Sequence, residues 1–384
     1  MKTHKSRAVW TVAVVVTLSL LAGACSKSDK NDNADKTTTT ATASGDSTTA
    51  PTTAAADTSA LKSVTLKLNG QGSSLQDTFE QKASSEFNTA VSDAGGSGSV
   101  TYTKTASKDG KKALADKTSD FAGSDSTIGA DEKSEFGSRT ILYFPIIASP
   151  ISMIYNLKGV TDLRLSAPTI SKIFQGQITS WNDPAIVKDN PDATLPSTKI
   201  TVAHRSDGSG TTNNFTKFLA AATPDTWKLG SGDTVNWPSS TQGAEKSTGV
   251  TSIVSSTSGA LGYADLADAA KANLDVATIE NKDGKWVKPT PAGAAAALDA
   301  STIGSDLTYI PAWADGATAY PITSPTYVLV DAKQKDQAHV DALKAYLNYM
   351  LSTTQGEAQS LFYAPLPSSL DKKAIAQLDS ITVG

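Results

Sequence analysis

From Leu61 onward one pattern recurs: a short alternating stretch, a turn rich in glycine and small hydroxyl residues, then a helix-like stretch. VTLKL runs into NGQGSSLQDTFEQKASSEF, and TYTKTASKDGKKALAD, SDFAGSDS, LYFPIIASPISMIYN and ITVAHRSDGSGTTNNFTKFL follow the same grammar. An apolar period of two residues marks a strand with one buried face, and helix-like spacing marks the element after it. Strands alternating with helices predict α/β layers. A further apolar strand, PTYVLVD, precedes a helical stretch from Asp336 to Leu351 that is expected to pack back on the first part of the chain. At 384 residues the chain exceeds one typical domain, so two are expected.

The first residues follow a different rule. Lys2, Lys5 and Arg7 with no acid precede an apolar run from Ala8 to Leu21, and then Ala22-Gly23-Ala24-Cys25. That order predicts a signal peptide over residues 1–24, because the apolar run is shorter than the roughly 20 residues a membrane-spanning helix needs. LAGAC resembles a lipobox, with Ala22 where that motif prefers leucine, and the resemblance implies lipidation of Cys25, palmitate included. Cys25 is the only cysteine, so the body after it can form no disulfide, thiolate metal site or cysteine nucleophile. Residues 26–60 are almost entirely Thr, Ala, Ser, Asp, Asn and Lys, a composition expected to form a disordered tether. With its lipidated cysteine, the segment 25–60 would hold the body at the outer face of the cell membrane.

The whole chain has 34 basic and 38 acidic residues; losing Lys2, Lys5 and Arg7 with the leader leaves 31 against 38, a net charge of -7. Nucleic acid is not expected as a partner. A small anion is not excluded, since exposed charges are screened beyond about 8–10 Å in physiological salt.

Four segments place small hydroxyl or glycine residues where a strand meets an expected helix: Ser73-Ser74, Ser107, Ser124-Asp125, and Asp207-Gly208-Ser209-Gly210-Thr211-Thr212. Backbone N–H groups at a helix start lack intrahelical partners and lie at the positive end of the dipole, so each junction can seat an oxyanion. Serine and threonine also cap helices for stability alone, so no single junction is decisive. The run from Arg205 to Thr211 is the strongest, because it packs a guanidinium, hydroxyls and a glycine-flanked turn into seven residues. It is not a nucleotide P-loop, since Thr211 stands where the lysine should follow the last glycine.

RSDGSGTTNNF is very similar to the RxDGSGT signature of the phosphate-binding proteins of bacterial high-affinity phosphate ABC importers, and SDFAGSDSTI resembles that family's DFGASDxPL segment. LSAPTISKIFQGQITSWNDPAI, GDTVNWP and GALGYADLA resemble further family stretches, so the likeness runs from Leu61 to Leu370. It implies a two-domain periplasmic-binding-protein fold of type II, with two crossovers and the ligand in the interdomain cleft. The expected first domain is discontinuous, 61–145 plus 320–384, and the second spans 146–319. By the same resemblance Arg205, Ser209, Gly210 and Thr211 would contact phosphate from the second domain, with Asp207 bracing Arg205. Ser74, the backbone N–H of Leu75, Ser107 and Asp125 would contribute from the first. Two departures stand out: GQGSSLQ replaces the family's GAGATFP, and ASKDG replaces its GSSGG, which puts Lys108 and Asp109 beside Ser107.

The resemblance implies extracytoplasmic capture of inorganic phosphate and delivery to ABC permease subunits, by a monomer that needs no cofactor and catalyses nothing. A buried carboxylate beside an anion costs energy unless the anion gives it a proton; phosphate at neutral pH still has one and sulfate does not, so Asp125 would reject sulfate. Protonated arsenate is not separated by this argument, whereas sulfate and molybdate are disfavoured. A serine hydrolase or phosphatase with Ser209 as nucleophile and His204 as base fits poorly, because Gly208-Ser209-Gly210 is not the GxSxG elbow. With histidines only at 4, 204 and 339, the last on an expected surface helix, no metal site is expected. The six tryptophans and the Phe144-Pro145 pair read as core or hinge-adjacent packing.

Overall fold

The computed structural model describes residues 58–384; the expected leader, Cys25 and the tether up to Asp57 lie outside the described residues. The described chain starts earlier than Leu61: Thr58–Lys62 is a short helix, and its Leu61 is buried. The principal elements are β1 (Lys67–Gly72), α1 (Asp77–Asp93), β2 (Ser99–Lys104), α2 (Ser107–Ala115), β3 (Phe121–Ser124) and β4 (Ile141–Tyr155). They continue with β5 (Thr201–Arg205), α3 (Gly210–Ala222), β6 (Gln242–Ala244), α4 (Lys246–Ser256) and β7 (Ala260–Asp265), then α5 (Pro291–Asp299), β8 (Thr323–Asp331) and α6 (Gln337–Ser352). Among the described residues no helix is long and apolar enough to cross a membrane.

The main sheet has the order β2-β1-β3-β8-β4-β7-β5-β6. Strands β2, β1 and β3 are parallel, as are β7, β5 and β6, while β8 and β4 run antiparallel to their neighbours. β4 belongs to both halves: Ile141–Pro150 pairs with β8, and Ile151–Tyr155 pairs with β7. The chain thus leaves the first half along β4 and returns along β8. Prolines 145, 150 and 325 lie in this pair, each lacking a ladder donor, and the register shifts between Thr326 and Tyr327.

Phe79, Phe87 and Phe121 pack under the first half, and Phe174, Phe215 and Tyr263 under the second, in one continuous core. The expectation for the tryptophans holds for Trp181 and Trp227, which are buried, and for Trp237 and Trp313, which are half-buried and pack against the core, but not for Trp286, which is half-buried outside it; Trp10 lies outside the described residues. The expected strand VTLKL is displaced: β1 takes in Asn69–Gly72, so NGQG is strand rather than turn. The reason is interstrand space, because a side chain at Gly70 would enter the Phe121 ring and one at Gly72 would meet the Gly123 carbonyl. The turn is Ser73–Gln76. His339 is also corrected: it is buried, with its N–H and Nδ1 at the Asp336 carboxylate, which caps α6.

Candidate functional site

Helix starts from different parts of the sheet converge at one place. The Ser73–Gln76 turn leads into α1, Ser107 opens α2, Gly210 opens α3 and Lys246 opens α4. Ser124-Asp125 is a correction to the expected set: Asp125 follows β3 on a bend, and the next helix does not begin until Lys133. The start of α4 replaces it in the constellation. There Ser247 donates its backbone N–H to Ser74 Oγ at 3.2 Å, and the two hydroxyls are also 3.2 Å apart.

Arg205 ends β5 with its side chain buried. Its Nε and Nη2 bond the two Asp207 oxygens at 2.6 and 2.7 Å, and Nη1 reaches Ser74 Oγ at 3.2 Å. Asp207 also accepts from the Lys246 N–H at 2.9 Å. Burial by itself raises the Asp207 carboxyl, but hydrogen bonding and charge from Arg205 outweigh it and hold the group below the usual carboxylate range. This fork fixes the guanidinium plane before any ligand arrives.

Asp125 is 1% exposed. Its Oδ1 accepts a short bond from Ser73 Oγ at 2.6 Å, Oδ2 has long contacts, 3.4 Å to Thr211 Oγ1 and 3.5 Å to Ser107 Oγ, and Thr326 adds a further side-chain hydrogen bond to the carboxylate. The carboxylate's two oxygens offer about four acceptor sites, and short geometry is used at only one of them here. Burial pushes its pKa up to about 6, against the lowering effects of the Ser73 bond and the Arg205 charge. Its backbone is fixed as well, with the N–H donating to Ser107 Oγ and the carbonyl accepting from Asn214 Nδ2.

The halves of the sheet approach closely here. A Cβ at Gly210 would lie 2.6 Å from Ser107 Oγ and 2.7 Å from Asp125 Cβ, so no side chain fits. The Lys108 N–H donates to the Gly208 carbonyl at 3.0 Å, so the departure at ASKDG forms part of this contact. Ser209 caps α3 by accepting from the Thr212 N–H, and the Leu75 N–H donates to Ser73 Oγ at 3.1 Å. Ser74 and Arg205, and Ser107, Asp125, Gly210 and Thr211, meet through these contacts, whereas Ser209 and the Leu75 N–H are engaged locally. Ser73, Asn214, Ser247 and Tyr263 were not in the expected contact set; Tyr263 OH accepts from the Arg205 N–H and lies 2.6 Å from Thr212 Oγ1.

His204 stacks on Trp237 with ring centroids 5.0 Å apart, and its Nδ1 lies at the Arg205 carbonyl. Among the described residues no hydrogen bond joins it to Ser209, and no group of three or more His, Cys, Asp or Glu side chains could hold a metal. Chemically, the arrangement offers a fixed guanidinium, hydroxyl donors and the N–H groups of Gly210 and Thr211 at the start of α3 opposite one buried acceptor, while the amides of Leu75, Thr212, Lys246 and Ser247 are already paired. Guanidinium and hydroxyl donors are groups that suit an oxyanion.

A profile of the PBP superfamily domain matches residues 25–354, so fold and site define a solute-binding protein of that superfamily, with the two-domain α/β architecture of type II. The phosphate-binding protein PstS of Xylella fastidiosa (strain 9a5c) is 32% identical over 345 residues, 88% of this chain and 90% of that protein. PstS3 of Mycobacterium bovis (strain BCG / Pasteur 1173P2) is 31% identical over 334 residues, 83% of this chain and 86% of that protein. The chain belongs to the PstS family of phosphate-binding proteins. Among solved structures, a phosphate-bound high-affinity periplasmic phosphate-binding protein, PfluDING, superposes with TM-score 0.69 at 19% identity, covering 81% of this chain and 94% of that one. A phosphate-binding protein from Stenotrophomonas maltophilia gives 0.64 at 19% identity over 81% and 93%. At that identity the likeness is one of fold.

Proposed function

We propose that this protein binds inorganic phosphate outside the cytoplasm and hands it to the permease subunits of an ABC importer, without chemical turnover. The observation that carries the reading is the buried Asp125 carboxylate, which takes one short bond from Ser73 at one oxygen and only long contacts from Thr211 and Ser107 at the other. Phosphate would give that oxygen its proton, while Arg205, Ser74 and the Gly210 and Thr211 N–H groups would serve the unprotonated oxygens. Sulfate has no proton to give and would meet an unpaired acceptor. Arsenate shares the proton and is expected to bind.

The two lobes of this reading are 61–145 with 320–384, and 146–319, joined through β4 and β8. The contacts between Gly210 and Asp125 and between Ser74 and Ser247 would belong to a closed state in which both lobes reach the ligand. Delivery would be from a monomer tethered by lipid on Cys25 at the outer face of the membrane, after removal of residues 1–24.

Calorimetric titration of the mature protein, freed of anion by partial unfolding and refolding, tests this with phosphate, sulfate and arsenate on wild type and Asp125→Asn. Phosphate and arsenate should bind and sulfate should not, and the amide should narrow the gap between phosphate and sulfate by at least about tenfold. Equal binding of sulfate and phosphate by wild type would sink the proton-acceptor mechanism, and no binding of either would sink the phosphate assignment.

A further inference from the structure

Two of the residues by which GQGSSLQ departs from the family's GAGATFP act around Asp125: Ser73, where the family stretch has alanine, and Gln76, where it has proline. Ser73 gives the carboxylate its short bond at 2.6 Å. Gln76 is completely buried at the start of α1. Its Nε2 lies 3.3 Å from Tyr102 OH and 3.3 Å from Glu80 Oε1, and its Oε1 accepts from Thr326 Oγ1. Tyr102 sends its own proton to the Ser73 carbonyl at 2.9 Å and is left as an acceptor, so the amide nitrogen faces Tyr102 and the amide oxygen faces Thr326. Gly123 makes room for this arrangement, since a side chain there would collide with both the Gln76 amide and the Tyr102 hydroxyl.

Thr326 is fully buried as well, on β8 beside the register shift. Its hydroxyl bonds both the Asp125 carboxylate and the Gln76 amide oxygen, yet it has a single proton to give. The two acceptors compete for it, and what Gln76 takes, Asp125 goes without. With Ser73 already donating, a full bond from Thr326 would go far toward satisfying the carboxylate from within the protein. With the Thr326 proton drawn to Gln76, the carboxylate keeps acceptor capacity for a donor on the ligand, and a buried acceptor left short of donors is costly.

We infer that Gln76 is a positioning residue for phosphate recognition: by holding the Thr326 hydroxyl proton away from Asp125, it keeps that carboxylate in need of the ligand's proton and sharpens the preference for phosphate over sulfate. The inference rests on Asp125 as the acceptor of that proton, as proposed above. Gln76 is sealed beneath the site and acts through Thr326.

Calorimetric titration of the mature protein with phosphate, and with sulfate as competitor, tests this on wild type, Gln76→Met, Thr326→Val and the double variant. Gln76→Met keeps the bulk and removes the amide, so Thr326 turns its proton to Asp125; phosphate should weaken, and its preference over sulfate should narrow about tenfold. Thr326→Val removes the contested proton and should widen the preference a few-fold. The double variant should match Thr326→Val, because without the hydroxyl Gln76 has nothing to withhold. A merely structural Gln76 would cost the same in both backgrounds, and that result overturns the inference, as does an unchanged preference in Gln76→Met. If Gln76→Met does not fold, Tyr102→Phe decides: it frees the amide to turn and should narrow the preference in part, with no such effect beside Thr326→Val, and an unchanged preference overturns the inference. Equal binding of sulfate and phosphate by wild type overturns both this inference and the Asp125 reading. Discrimination that Asp125→Asn narrows and Gln76→Met leaves intact overturns this inference alone.

Discussion

Arg205 is oriented by Asp207 through both oxygens, so a change that keeps its charge but loses the planar fork tests what geometry adds to charge. Arg205→Lys is expected to weaken phosphate by on the order of 2 kcal/mol, about thirtyfold, by titration. Gly210→Ala removes no donor, yet its methyl would collide with Ser107 Oγ and Asp125 Cβ. It should lower affinity at least about tenfold while shifting the melting temperature of the phosphate-free protein little, since the collision exists only when the halves are together. A fall in phosphate-free stability as large as the fall in binding would place the collision in both states. The run from Arg205 to Thr211 was legible in the sequence because seven neighbours carry the chemistry. Ser247 and Asn214 were not, because each reaches the site only through the approach of segments far apart in the chain, which no local pattern encodes.

Glu80 shows how an element carries a buried charge. It lies on α1, fully buried, accepting from Tyr346 OH of α6 at 2.7 Å and from Gln76 Nε2 at 3.3 Å. Burial pushes its pKa up to about 8, with the Tyr346 bond opposing. A carboxyl whose folded pKa is raised adds stability fully present below its unfolded value near 4.5 and lost as pH rises through about 8. Wild type should therefore lose stability relative to Glu80→Gln between pH 5 and pH 9, by on the order of a few kcal/mol, in urea melts at stepped pH. Parallel curves for the two proteins would mean that Glu80 is ionised throughout. At this scale the α/β alternation and α6 were readable from periodicity. The extent of β1 was not, because glycines admitted for close strand packing look the same in sequence as glycines of a turn.

Across the whole molecule, Lys111 joins segments that the proposed opening would part. Its Nζ is buried, 2.6 Å from Glu132 and 2.9 Å from Asp233, and Asp233 also accepts from Ser126 Oγ at 3.0 Å. Asp233 lies outside the phosphate contacts and comes from the other half of the fold. Asp233→Asn should speed phosphate release several-fold in stopped-flow chase, and should lower the melting temperature more with phosphate present than without it. Equal losses in both conditions would make the cluster a plain stability element.

The strand pair β4 and β8 has three prolines and a register shift, so its ladder is broken in several places. In the proposed opening the halves would turn about it without leaving one another. The search for the closed arrangement would then run along one rotational coordinate, and the donors on each side would meet at the effective concentration of a short, stiff connection. Loosening that pair would leave every binding group intact and still weaken capture, because the groups would have to find each other over a larger volume.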